Sequence, residues 1–125
     1  MPLCGRAGIG QVVFCPLAQG VLTGKYKPGS PLPDDSRASD DRQNMFIKKL
    51  VEDRAILEKV QKLVPIARDH NCSMAQLALA WILRKSEVTS CIIGATKPEQ
   101  VADNAEASGI KPDQDTIRRV EEVVA

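Results

Sequence analysis

Two short β-forming runs, separated by a long stretch of helical patterning, constrain this chain more than any other feature. Gln11 to Cys15 (QVVFC) is β-branched and aromatic, follows Gly8-Ile9-Gly10 and stops at Pro16, so breakers bound it at both ends. Thr89 to Ile93 (TSCII) is a second such run, ending in the tight turn Gly94-Ala95. Strands that alternate with helices form parallel sheets, and the first run reads as a buried strand. A parallel sheet needs cover on both faces and more than two strands. No internal repeat supplies the others. The chain therefore reads either as part of a larger α/β unit or as a protomer completed by association.

Between and after the strands the breakers and caps are legible. Pro28 to Asp41 is rich in Pro, Gly, Ser and Asp and reads as a long surface loop, a class usually functional or disordered. From about Gln43 to His70 the pattern is helical, with Leu57, Val60, Val64 and Ala67 on one face. Pro65 should kink or end that helix, and Asn71 can adopt the left-handed conformation that stops one. Ser73-Met-Ala-Gln76 reads as a capping box opening a helix to about Lys85 that is apolar nearly all round. Thr96-Lys-Pro-Glu99 reads as a second box, with a helix to about Ala107 stopping at Ser108-Gly109. Asp113 to Val124 is a last amphipathic helix expected to bury Ile117, Val120, Val123 and Val124. Helices are thus expected near 45–69, 73–85, 97–107 and 114–124.

Several function classes are disfavoured. Seventeen basic and sixteen acidic side chains leave a net charge of +1, a poor surface for a polyanion. Val60 to Arg84 mimics a helix-turn-helix, the most remote of the alternatives. Its second helix, however, opens with Met74, Ala75, Leu77 and Ala78, leaving only Gln76 suited to a base edge. No nucleic-acid partner is expected. No apolar run approaches the roughly 20 residues of a membrane span, so no membrane partner is expected either. The four cysteines form no C-x-x-C pair that the single His, His70, could join, so no metal site is expected. No secretory pattern opens the chain, which makes free thiols and a cytoplasmic location the expectation. Gly20-Val-Leu-Thr-Gly24-Lys25 fails as a phosphate-binding P-loop: three residues separate the glycines, and Tyr26 replaces the Ser or Thr that would hold magnesium.

Phe14-Cys-Pro-Leu-Ala-Gln-Gly-Val-Leu-Thr-Gly-Lys-Tyr26 resembles an aldo-keto reductase signature, an aromatic residue followed by S-P-L-x-x-G-x-L-T-G-K-Y. Ser36-Arg37, Met74 to Trp81, Ile93 to Thr96, Glu99-Gln100 and Asn104 are similar to the same family in order and spacing. Pro2-Leu3-Cys4 to Gly8-Ile9-Gly10 looks like the end of the helix before the seventh strand. The closest branch includes the potassium-channel β subunits and related bacterial reductases. The resemblance implies the C-terminal portion of a (β/α)8 TIM barrel over 1–125. Its parts are the end of a helix and a turn (1–10), the seventh strand and cofactor loop (11–42) and helices (43–88). The eighth strand and phosphate-binding helix (89–107) and a C-terminal helix (108–125) follow.

The resemblance also implies roles. Phe14 matches the aromatic residue that stacks on nicotinamide, and barrel active sites lie at the C-terminal ends of strands. Cys15, standing where Ser is usual, Pro16, Leu17, Ala18, Gln19 and Gly20 match the bed beneath the pyrophosphate. Lys25 matches a phosphate contact, and Arg37 matches the residue that embraces the adenosine phosphate, a task its bidentate fork suits. Gly94, Thr96, Gln100, Asp103 (where Glu is usual) and Asn104 match contacts to the adenosine half. The turn into a helix N-terminus favours an anion there. Many relatives carry Lys at the position of Ala95, so Arg37 or Lys97 is left to meet the 2′-phosphate. NADP is the implied cofactor, with NAD less favoured, and a small carbonyl compound the implied substrate. The family's catalytic Asp, Tyr, Lys and His arise from earlier strands. Neither His70 nor Tyr26 matches them, so no catalytic residue is assigned. Two readings follow: a cofactor-binding portion of an NADP-dependent oxidoreductase, or a cofactor-sensing regulatory subunit without turnover. Oligomeric state is not legible.

Overall fold

The computed structural model describes residues 2–125. Gln11–Phe14 (β1) and Val88–Ile92 (β2) pair in parallel, with Phe14 opposite Ile92. The helices are Pro2–Arg6 (α1), Lys48–Glu52 (α2), Arg54–Asp69 (α3), Met74–Leu83 (α4), Pro98–Glu106 (α5) and Gln114–Val124 (α6). Strand type, parallel pairing and helix order match the sequence expectation. The register slips between Gln11 and Val12, where Thr89 Oγ1 donates to the Gln11 carbonyl at 3.1 Å. Gly10 permits that approach, since a Cβ there would stand 2.4 Å from the Thr89 methyl.

α4 is the pillar of the chain. Its capping box forms as expected: Ser73 Oγ accepts from the Gln76 N–H at 3.1 Å, and Gln76 Oε1 accepts from the Ser73 N–H at 3.0 Å. Gln76 is buried, and its amide nitrogen donates onward to the carbonyl oxygen and Oδ1 of Asp103 and to Glu106. The polar end of α4 is thereby satisfied by α5, as burial requires. Leu77 and Met74 pack with Leu63 and Ile66 of α3 and Val120 of α6. A second cluster joins Val21 and Tyr26 to Ala38, Ile47, Leu57 and Val60.

Several local expectations are corrected. α3 does not end at Pro65 but runs on to Asp69. Pro65 lies on the exposed side, where water can take the Gln61 carbonyl that a proline cannot serve. The expected helix from residue 45 is split: α2 stops at Asp53, whose carboxylate caps α3 by accepting from the N–H groups of Ala55 and Ile56. Asn71 is left-handed, as expected. β1 is not buried, because Val12 and Phe14 face solvent. In α6, Thr116 and Val120 are buried while Val124 is exposed. The Thr116 N–H holds the Asp113 cap carboxyl below the usual carboxylate range. Within the loop, Ser36 and Ala38 are buried and pin its centre. The first turn of α4 packs inward, which removes the face a recognition helix would present. Among the described residues, no helix is long and apolar enough to cross a membrane.

Candidate functional site

Parallel pairing brings the C-terminal ends of both strands, and the loops that leave them, to one end of the sheet. The Phe14 ring is 77% exposed there. The chain then turns through four left-handed residues within six positions: Cys15, Ala18, Gln19 and Gly20. Each such non-glycine residue costs on the order of 1–3 kcal/mol, and strain of this kind concentrates at functional sites. Gly20, at φ 98°, takes the conformation least tolerable for a side chain. The turn is held by Ala18 N–H to Cys15 O and Gly20 N–H to Leu17 O, and Gln19 Nε2 donates to Cys15 Sγ at 3.1 Å. Pro16 and Val21 are buried beneath it.

Lys25 is held over this bed. Its ammonium lies 5.3 Å from the centre of the Tyr26 ring and beside Gly20, 3.8 Å from where a Cβ would stand. Tyr26 itself is buried in the second cluster, so its hydroxyl does not face a substrate. Arg37 is exposed between the buried Ser36 and Ala38, and its guanidinium donates to Gln19 Oε1. A line of contacts, Cys15 to Gln19 to Arg37, thus ties the loop to the strand end. Two residues earlier Asp35 pairs with Lys97 at 3.7 Å, tying the same loop to the start of α5. Neither tie was legible in the sequence, because nothing in spacing says where a long loop returns.

The segment after β2 departs from expectation in its cap. α5 begins at Pro98 with Lys97 as its N-cap, and no side chain caps it there. Gln100, rather than Glu99, reaches back: its Oε1 accepts from the N–H of Thr96 at 2.8 Å and from the Thr96 hydroxyl at 3.2 Å. The Thr96 N–H is therefore occupied by a neutral side-chain acceptor. Gly94 has open space around it. Asp103 is committed to the fold, accepting from Ser73 Oγ at 3.2 Å as well as from Gln76. Asn104 lines a separate cleft of about 430 Å³ with Leu79, Cys91, Ala95 and Val101. Burial there pushes the Cys91 thiol up, away from thiolate reactivity. That cleft includes none of Phe14, Lys25 and Arg37. A smaller cleft of about 280 Å³ is lined by Arg37, Arg42, Gln43, Met45 and Phe46, of which the sequence reading singled out only Arg37. Among the described residues, no group of three potential ligands is placed to hold a metal ion.

An exposed aromatic face ends β1, a strained, glycine-containing bed follows it, two cations lie beside that bed, and a helix start stands on the neighbouring strand. The sequence profile of the aldo/keto reductase family matches residues 1–125. A protein of Oryza sativa subsp. japonica named as a probable voltage-gated potassium channel subunit beta is 41% identical, over 99% of this chain and 38% of its own length. The L-glyceraldehyde 3-phosphate reductase of Escherichia coli K12 is 42% identical, over 80% of this chain and 29% of its own length. The chain thus spans about a third of the length of these relatives. A glycerol dehydrogenase structure from Gluconobacter oxydans superposes with a TM-score of 0.72 at 22% identity, covering 99% of this chain and 36% of that one. The likeness is one of fold: β1, β2 and their helices correspond to part of a TIM barrel.

Proposed function

The chain belongs to the aldo/keto reductase family, and from that premise we propose that it forms the NADP-binding wall of a cytoplasmic oxidoreductase that reduces an aldehyde or ketone. The observation that carries the proposal is convergence. Phe14 at the end of β1, the bed at 15–20, Lys25, Arg37 and the start of α5 meet at one end of the sheet. NADPH would supply the hydride when bound. Phe14 offers a flat apolar face that fixes which side of the nicotinamide ring is open. The bed at 16–20 brings backbone close to the pyrophosphate, and Lys25 beside Gly20 neutralises its charge. Arg37 reads the 2′-phosphate, a task its bidentate fork suits.

Proton transfer to the carbonyl oxygen needs an acid within hydrogen-bond reach. Tyr26 is buried, and His70 Nδ1 lies 3.4 Å from Thr116 Oγ1 where α3 meets α6. Neither is placed to act, so these residues bind and orient without completing the reaction. A second reading, cofactor sensing without turnover, is favoured by the likeness to the rice protein named as a channel subunit. Both readings require the same bound cofactor. Phe14→Ala tests that shared requirement. Loss of a base–aromatic stack should weaken NADPH and NADH alike by about tenfold, read by titration of cofactor fluorescence. Phe14→Trp should bind as well as the parent. Unchanged affinity in Phe14→Ala would remove the nicotinamide from β1.

A further inference from the structure

We propose that Arg42 and Phe46 form a second wall of the adenosine site, Phe46 stacking on the adenine ring and Arg42 sharing the 2′-phosphate with Arg37. The inference rests on the cofactor reading above and extends it to residues that no family resemblance pointed to. Arg37 joins the bed to a second cleft. On one side its guanidinium bonds Gln19 of the strained bed; on the other it lines the 280 Å³ cleft with Arg42, Gln43, Met45 and Phe46. The two features are therefore continuous through a single side chain.

Phe46 is 74% exposed, although the next residue, Ile47, is wholly buried in the second cluster. Burial of Ile47 holds the turn, and the turn displays the ring. Asp40 orders the same segment, accepting from the Arg42 N–H at 3.0 Å and from Gln43 Nε2 at 2.9 Å. The Arg42 side chain is 91% exposed. Only its Nε reaches Asp40, at 3.4 Å, so its two terminal nitrogens have no partner among the described residues. Asp40 offsets part of the cationic charge. Arg37 and Arg42 still line one cleft together with Phe46. Forks recognise phosphate oxygens bidentately, and an exposed aromatic ring stacks on a base. The volume is near the lower end of small-molecule sites, about 300 Å³, which suits one nucleoside phosphate rather than a peptide.

Calorimetric titration of the chain with adenosine 2′,5′-bisphosphate and, separately, with adenosine 5′-monophosphate tests the proposal. Arg42→Ala should weaken the bisphosphate about fivefold and the monophosphate little, since only the former carries the 2′-phosphate. Phe46→Ala should weaken both by about fivefold, and Phe46→Trp should restore both. All three side chains are exposed, so helical circular dichroism should match the parent. If Arg37→Ala weakens the bisphosphate while the Arg42 and Phe46 variants bind as the parent does, this inference falls and the cofactor reading stands. If the parent binds neither nucleotide, both fall. If the substitutions change only the sedimentation of the chain, the cleft joins two copies and the inference is overturned.

Discussion

Arg37→Ala is expected to weaken NADPH binding by about ten- to a hundredfold and NADH binding by less than about twofold. The range follows from losing charge-assisted hydrogen bonds worth roughly 1.5–3 kcal/mol. The two cofactors differ only in the 2′-phosphate, so the ratio of their losses isolates what the guanidinium reads. Arg37 also donates to Gln19, and removing that bond loosens the bed slightly for both cofactors. A small loss for NADH is therefore part of the expectation. Arg37→Lys keeps the charge but not the fork, and should fall between alanine and the parent. Lys97 sits in an exposed pair with Asp35 whose loss costs no more than about 1 kcal/mol, so any shift of Lys97 to the phosphate sets the low end of the expected loss. Titration by cofactor fluorescence gives both affinities. Equal losses would show that Arg37 steadies the loop and reads no phosphate.

The second large effect is on stability. Leu77 is 2% exposed at the centre of the α3–α4–α6 cluster, and Leu77→Ala should cost about 2–5 kcal/mol through lost burial and the cavity left behind. Whole domains are stable by only about 5–15 kcal/mol. This chain also leaves Val12, Phe14 and Ile92 of its sheet exposed, and among the described residues no further strand pairs with either edge of its two-stranded sheet, features that favour association. Leu77→Ala should therefore abolish a cooperative thermal transition. Val101→Ala, at an exposed site on α5, should stay within about 0.5 kcal/mol of the parent. Thermal melting by circular dichroism separates the two. A Leu77 variant that melts like the Val101 variant would mean that α4 is not the pillar of the core.

What could be read in advance followed from local chemistry. Breakers around Gln11–Cys15 and Thr89–Ile93 located both strands to within a residue, and Ser73 with Gln76 located the start of α4. Local chemistry also misled where two choices were equally good. Thr96 and Glu99 have the spacing of a capping box, but Pro98 opens the helix one residue later than that box needs, and Gln100 takes the Thr96 N–H. Pro65 has the chemistry of a helix end, yet its exposed position lets water replace the lost bond. Composition marked β1 as buried, because Val and Phe carry no record of whether a neighbouring layer covers them. The contacts of Arg37 with Gln19 and of Asp35 with Lys97 are long-range, and periodicity contains no information about them. For the same reason the outward turn of Phe46, set by the burial of Ile47, could not be read in advance.

The central claim is that these residues hold a nicotinamide cofactor but do not perform its chemistry. NADPH emission followed over time, with a general aldehyde present and the chain added in increasing amounts, tests both halves in one trace. The emission should shift saturably on mixing and then hold level at the rate of the protein-free control. Emission that never changes with added chain would contradict the binding half, and decay faster than the control would contradict the chemical half.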